Sequence, residues 1–252
     1  MLPLGLQLAP QFLVDIADEV LVFFHDSVGL SWGGAIIALT VAMRTVLIPL
    51  TYKQIKGMRA MQALQPKIKE IQEKYKNDKQ RMQQEMMNFY KENKVNPLAS
   101  CLPLLLQLPI FFSLFRLLRG DNFEEDVKST GEAGWFFINS VIEKPHGAET
   151  VILMVLFAAS MAVSTLVTMR SSPTGGGSQQ YLMIGAFSLV SLFFVPTFPA
   201  GLSLYWITTN VWTIGQTYVA AKLIPPPQIA TPEEVAAAKP PPPPPRKKKK
   251  RR

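Results

Sequence analysis

Apolar residues are gathered along this chain into long blocks separated by polar stretches, not dispersed as in the core of a soluble domain. Crossing the hydrocarbon of a bilayer takes about 20 predominantly apolar residues in a helix. Five blocks reach that length, at about 31–52, 98–118, 150–169, 181–199 and 202–222. They predict an all-α membrane protein with five transmembrane helices in a core over residues 31–223. Helices are required there because hydrocarbon offers no partner to an unpaired backbone N–H or carbonyl.

The stretches between the blocks have patterns of their own. Residues 11–27 place Phe12, Leu13, Ile16, Ala17, Val20, Phe23 and Phe24 on one helical stripe, opposite Gln11, Asp15, Asp18, Glu19 and Asp26. This predicts an amphipathic helix in the outer interface, within an external N-terminal segment 1–30. A signal peptide fits poorly, because no basic region precedes the apolar run and acids interrupt it. In residues 53–96, Met61, Leu64, Ile68, Ile71 and Tyr75 recur at three- and four-residue steps. After Asn77 and Asp78 a second run holds Met82, Met86, Phe89 and Tyr90. Two antiparallel helices sharing an apolar seam are expected, a helical hairpin. Pro66 should kink or restart the first, since it removes a donor and crowds the preceding turn. Residues 171–178 read as a flexible connector and 196–201 as a tight turn. Residues 224–252, rich in Pro and Ala with no apolar period, read as a disordered tail.

Charge orients the bundle. Residues 53–96 hold eleven basic and five acidic residues, whereas 120–149 hold two basic and seven acidic. The tail from Lys222 has nine basic and two acidic residues, and residues 1–30 have no Lys or Arg. Lys and Arg accumulate on the cytoplasmic side of short loops. The N-terminus is therefore expected outside, the hairpin 53–96 inside, the loop 120–149 outside and the tail inside. A multi-pass membrane protein with its N-terminus outside and its C-terminus in the cytoplasm is therefore expected.

Arg44 is the sharpest chemical signal, a cation in the middle of the first block. Such a charge is costly at bilayer depth and faces a bundle interior or a wet cavity. No Asp or Glu lies in any of the five blocks to pair with it. Snorkelling is weak too, because Lys53 at the basic edge is about 13 Å away along a helix. A hydrated, positively charged cavity within the membrane is favoured. Thr40, one turn earlier, Gln107 in the second block, and Tyr205, Trp206 and Asn210 in the fifth are candidates to line it. Each could equally be hydrogen-bonding glue between helices, and the two aromatics could be interfacial belt residues.

No nucleophile–base pair, zinc-binding helix or phosphate-cradling glycine loop is present, so neither an enzyme nor a cofactor is expected. The single cysteine, Cys101, excludes an internal disulfide and a multi-cysteine metal site. An anion transporter or channel is the alternative reading of Arg44, weakened by the lack of an inverted repeat. The terminal run Arg246, Lys247, Lys248, Lys249, Lys250, Arg251 and Arg252 suits two partners. It would be drawn to anionic lipids, or would neutralise phosphates of the ribosome.

Three stretches together resemble the YidC/Oxa/Alb family of membrane protein insertases. They are Arg44 through Ile48-Pro49-Leu50-Thr51 into Met61-Gln62-Ala63-Leu64-Gln65-Pro66-Lys67-Ile68, Asn96-Pro97-Leu98-Ala99-Ser100-Cys101-Leu102-Pro103-Leu104-Leu105-Leu106-Gln107-Leu108-Pro109-Ile110, and Pro199-Ala200-Gly201-Leu202-Ser203-Leu204-Tyr205-Trp206-Ile207-Thr208-Thr209-Asn210. The resemblance runs from about Trp32 to Leu223. It implies five helices around a hydrophilic groove, closed outside and open to the cytoplasm and to lipid. Arg44, Gln107, Tyr205 and Trp206 match the family's groove residues, and 53–96 its mobile hairpin. Nascent membrane proteins are the implied substrates, with operation alone or beside the Sec translocon left open. The large external domain of Gram-negative relatives is not seen in this sequence. A short acidic N-terminus with a basic tail looks closer to the actinobacterial or Gram-positive branch, although chloroplast relatives share the hairpin sequence.

Overall fold

The protein was analysed as a computed structural model that describes residues 9–93, 95–96, 102–170, 185–186, 189 and 193–224. Most of the expected fourth span, the 171–178 connector, Cys101 and the basic tail lie outside the described residues. Among the described residues all regular structure is helical, apart from one isolated bridge between Trp135 and Ile138.

Helix α1 (Gln11–Val22) starts after Pro10 and widens into a π-type turn at Phe23–Ser27. The expected single apolar stripe divides into two faces. Val14, Ala17 and Leu21 are buried, with α1 lying on the later helices α2 and α5, while Phe12, Ile16 and Phe23 stay more than half exposed. The three-plus-four spacing of 14, 17 and 21 supplies the face that docks onto protein, distinct from the exposed one.

The first apolar block is not one straight helix. Helix α2 (Trp32–Val46) ends at Leu47, and α3 (Ile48–Lys74) leaves at a bend of 61°. Pro49 in the first turn of α3 explains the break. It has no N–H to offer the Thr45 carbonyl, and its ring crowds that turn. The last residues of the block thus belong to the same helix as the polar stretch after them. Pro66 does not restart this helix, which continues unbroken to Lys74. A short turn leads to α4 (Lys79–Glu92), where the Asp78 carboxylate accepts from the Arg81 N–H at 3.0 Å as an N-cap.

Helix α5 (Leu102–Leu118) is followed by α6 (Asp121–Thr130), then α7 (Gly147–Arg170) and α8 (Ala200–Leu223). Helix α6 carries Asp121 and Glu124 in its first turn, where acids suit the helix dipole, and stops at Gly131 with φ +69°. Over Gly147–Thr168 helix α7 is long and apolar enough to cross a bilayer, and only 17% of its apolar window is buried in the protein. The core helix of a soluble protein would be mostly covered. Val151, Val155 and Val163 instead present a bare apolar flank.

Packing is uneven along the bundle. Helix α8 lies chiefly on α7 and α2. Its buried residues crowd the first turns, from Ala200 to Tyr205, as do Trp32, Ala35, Ile36 and Leu39 of α2. Leu114, Leu117 and Leu118 at the far end of α5 and Leu153 and Phe157 of α7 complete this core. One end of the bundle is therefore close-packed and the other is loose.

The loop 131–146 seals the packed end. The N–H groups of Ala200 and Gly201 donate to the carbonyls of Glu143 and Val141, both at 2.9 Å. These are among the N–H groups a helix start leaves without partners. Trp135 packs so closely on Gly33 that an added Cβ there would lie 2.4 Å from its ring. Trp32 donates from Nε1 to the Thr130 hydroxyl at 2.9 Å, stacks on His25 and meets the edge of Phe123. Ile138 and Val141 are buried beneath.

Candidate functional site

Arg44 sits in the last turn of α2, where burial has given way to partial exposure. Its Nη2 donates to Gln107 Oε1 of α5 at 3.3 Å. With its oxygen so engaged, the Gln107 amide donates from Nε2 to the hydroxyl of Tyr205 on α8. Tyr205 is buried to 2% exposure. A cation, an amide and a phenol from three helices thus form one polar chain where the packed core begins to open.

The only salt bridge among the described residues joins Lys128 to Glu124 at 2.5 Å, so no described carboxylate neutralises Arg44. A guanidinium has several N–H donors in a fixed fork. Among the described residues Gln107 is its one hydrogen-bond partner. A charged hydrogen bond contributes about 1.5–3 kcal/mol, comparable with the roughly 2.5–3.5 kcal/mol that an Arg would cost at the centre of a bilayer-spanning helix on insertion scales. Gln107 offsets part of that penalty, and the partial exposure of Arg44 gives the remaining donors a route to water or to an acceptor on a ligand.

The other expected site residues are placed apart from this chain. Thr40 is buried, and its hydroxyl donates to the Ile36 carbonyl at 2.7 Å within its own helix. Trp206 enters an aromatic cluster, edge-on to Phe111 at 5.4 Å and stacked on Phe157 at 6.0 Å, with Phe194 at 5.5 Å. Asn210 donates to the Ser160 hydroxyl at 3.1 Å and ties α8 to α7, the helix–helix role that its sequence left open. The residues Arg246–Arg252 lie outside the described residues.

A second polar bridge uses Gln216, whose place in an apolar block suits hydrogen-bonding between helices, with a partner the sequence does not point to. Trp212 Nε1 donates to Gln216 Oε1 at 2.9 Å, and Gln216 Nε2 donates to the Thr51 hydroxyl, joining α8 to α3 just beyond the bend. The signal for it was a Gln in the fifth apolar block and a Thr two residues after Pro49 in the first. Among the described residues no group of three or more His, Cys, Asp or Glu is gathered as a metal would require.

Comparison with known proteins places this geometry. The sequence profile of the 60Kd inner membrane protein family matches residues 23–227. A protein of Streptomyces avermitilis named membrane protein insertase YidC is 36% identical over 252 residues, covering 86% of this chain and 59% of its own length. A Campylobacter jejuni protein of the same name is 38% identical over 212 residues, 84% of this chain and 38% of that one. This chain therefore spans between about two fifths and three fifths of those two relatives. A solved structure described as an active YidC insertase with its first transmembrane domain resolved superposes with a TM-score of 0.62 at 25% identity, over 81% of this chain and 46% of that one. With a match over most of its length and a shared helical arrangement, the chain belongs to the 60Kd inner membrane protein family, the family of the YidC insertases.

Proposed function

We propose that this protein is a membrane protein insertase, and that Arg44, Gln107 and Tyr205 mark a hydrophilic groove for nascent chains. In this reading five helices cross the membrane, with the N-terminus outside and the tail in the cytoplasm. The packed end sealed by 131–146 is the external closure. The loose end is the cytoplasmic mouth, with α3 and α4 as the hairpin that captures or gates the substrate. The observation that carries the reading is the Arg44 guanidinium, held in an apolar helix by an amide alone among the described residues.

A nascent segment with a short acidic external tail enters from the cytoplasm. Arg44 attracts the acid, more strongly than in water because the surroundings are less polarisable. Polar walls hydrate the tail part-way, so the full barrier of about 30 Å of hydrocarbon is never met in one step. The apolar segment then moves sideways into lipid, which drives the step without a nucleotide. Ribosome and anionic lipids are partners for the basic tail, and the Sec translocon is a further partner that this mechanism neither requires nor excludes.

The test is reconstituted insertion with Arg44→Ala. Weakly hydrophobic, acid-tailed substrates should slow by more than strongly hydrophobic, uncharged-tailed ones. Equal rates on both classes, unchanged from the parent, would refute the role given to Arg44.

A further inference from the structure

We infer that the bend between α2 and α3 builds a seat for one anionic phospholipid, separate from the polar chain at Arg44. The inference takes from the proposed topology only that this end of the bundle faces the cytoplasmic leaflet.

The physical argument starts at Leu47. By turning through 61°, α3 swings off the line of α2, and α8 packs far more closely on α2 than on α3. Between them lies a wedge-shaped cavity of about 730 Å³, within the range of roughly 300–1,000 Å³ of small-molecule sites. Val41, Ile48 and Tyr52 line one side, and Val211, Trp212 and Val219 the other. The hydrogen bond from Gln216 to Thr51 spans it and holds the walls. Gly215 lies in the wall, and a Cβ there would meet nothing within 4 Å. The lining is almost wholly apolar and its walls are open, Val211 being 58% and Tyr52 50% exposed. That chemistry suits an acyl chain better than a polar solute.

Lysines adjoin the lining residues along both helices. Lys53 follows Tyr52, Lys56 follows Ile55, and Lys222 precedes Leu223; all three lysines are exposed. Lys222 Nζ rests 4.6 Å from the centre of the Tyr218 ring, one turn earlier on the same helix. No acid occurs between Arg44 and Lys69, or between Ala200 and Ile224. An apolar slot with a one-signed rim at the cytoplasmic headgroup level selects a lipid whose head is negative. Phosphatidylglycerol is the simplest such probe.

The full-length protein, free of any substrate, is placed in phosphatidylcholine vesicles with rising fractions of brominated phosphatidylglycerol. Bromine quenches tryptophan at contact, and Trp212 is the tryptophan in the wedge; its share is the difference between the parent and Trp212→Phe. The expected result is quenching of Trp212 that saturates at a low fraction of the anionic lipid. Brominated phosphatidylcholine should give only a gradual rise. Changing Lys53, Lys56 and Lys222 to Gln should raise the half-quenching fraction by about fivefold for each lysine. Gly215→Leu should fill the slot and remove the saturable part. A measurement on the parent alone guards against misfolded variants: native mass spectrometry from mixed lipid should find one phosphatidylglycerol retained.

Quenching that does not saturate and is equal for both lipids, with no retained lipid, would overturn the inference. Loss of quenching as protein concentration rises would also overturn it, since a second copy of the chain would then fill the wedge. Neither outcome bears on insertion by Arg44, which is scored with substrate in a separate assay.

Discussion

A single methyl group at Gly201 should unfasten the seal over the packed end, while the same group at Gly215 on the same helix should do no harm. At Gly201 an added Cβ would lie 2.8 Å from the Val141 carbonyl oxygen and 2.9 Å from Ile36 Cδ1. The first neighbour is backbone and cannot rotate away. Moving it lengthens the hydrogen bond from Gly201 N and endangers that from Ala200 N to Glu143. Overpacking costs about 1–3 kcal/mol, and each hydrogen bond lost about 0.5–1.5 kcal/mol. Gly201→Ala should thus destabilise by roughly 2–4 kcal/mol, less a small gain in helix propensity. Gly215→Ala meets open space and should gain about 0.5–1 kcal/mol. Unfolding of both variants in nanodiscs reads the pair, and hydrogen exchange locates the effect. Faster exchange confined to residues 138–143 and 199–203 in Gly201→Ala is expected. If both variants shift stability in the same direction and by the same amount, the seal is not held by this contact.

Two further outcomes follow from the geometry. Removing the phenol by Tyr205→Phe and the amide by Gln107→Ala should each lower stability. A double-mutant cycle should show them coupled by about 0.5–3 kcal/mol, whereas independent effects would deny the chain of hydrogen bonds. Burial on α1, reinforced by Asp126, Asp15 and Glu19, holds the Asp18 carboxyl above the usual carboxylate range. A raised folded-state value favours the folded state below the ordinary aspartate pKa, near 3.9, and that contribution is lost as pH rises through the raised value. Asp18→Asn should therefore stabilise the protein at pH 7 and leave it unchanged near pH 3.5; a variant equally stabilised at both would contradict this.

The polar chain was legible because Arg44, Gln107 and Tyr205 stand out against apolar blocks, where any polar side chain must find a partner. Their convergence was not legible, since it depends on how α2, α5 and α8 cross. Thr40 and Asn210 show the limit of the same logic: each found its partner in its own helix or in α7. The bend at Leu47 was hidden because hydropathy runs smoothly through Pro49. The seal was hidden because the apolar residues of 131–146, Trp135 to Ile138 with Val141 and Ile142, form no helical or alternating pattern to show what they cover. Its anchors are glycines, Gly33 and Gly201, whose use lies in what they leave out.

The central claim is a cation in a water-filled groove at membrane depth, and reaction rates of an introduced thiol test it most directly. With Cys101 replaced by Ser, Gln107→Cys should react quickly with a membrane-impermeant sulfonate reagent added from the cytoplasmic side, and Val155→Cys on the bare flank of α7 should not. Replacing Arg44 by Gln should slow the sulfonate but not its trimethylammonium counterpart. Equal, slow labelling at both positions, or a ratio of the two reagents indifferent to Arg44, would contradict the account.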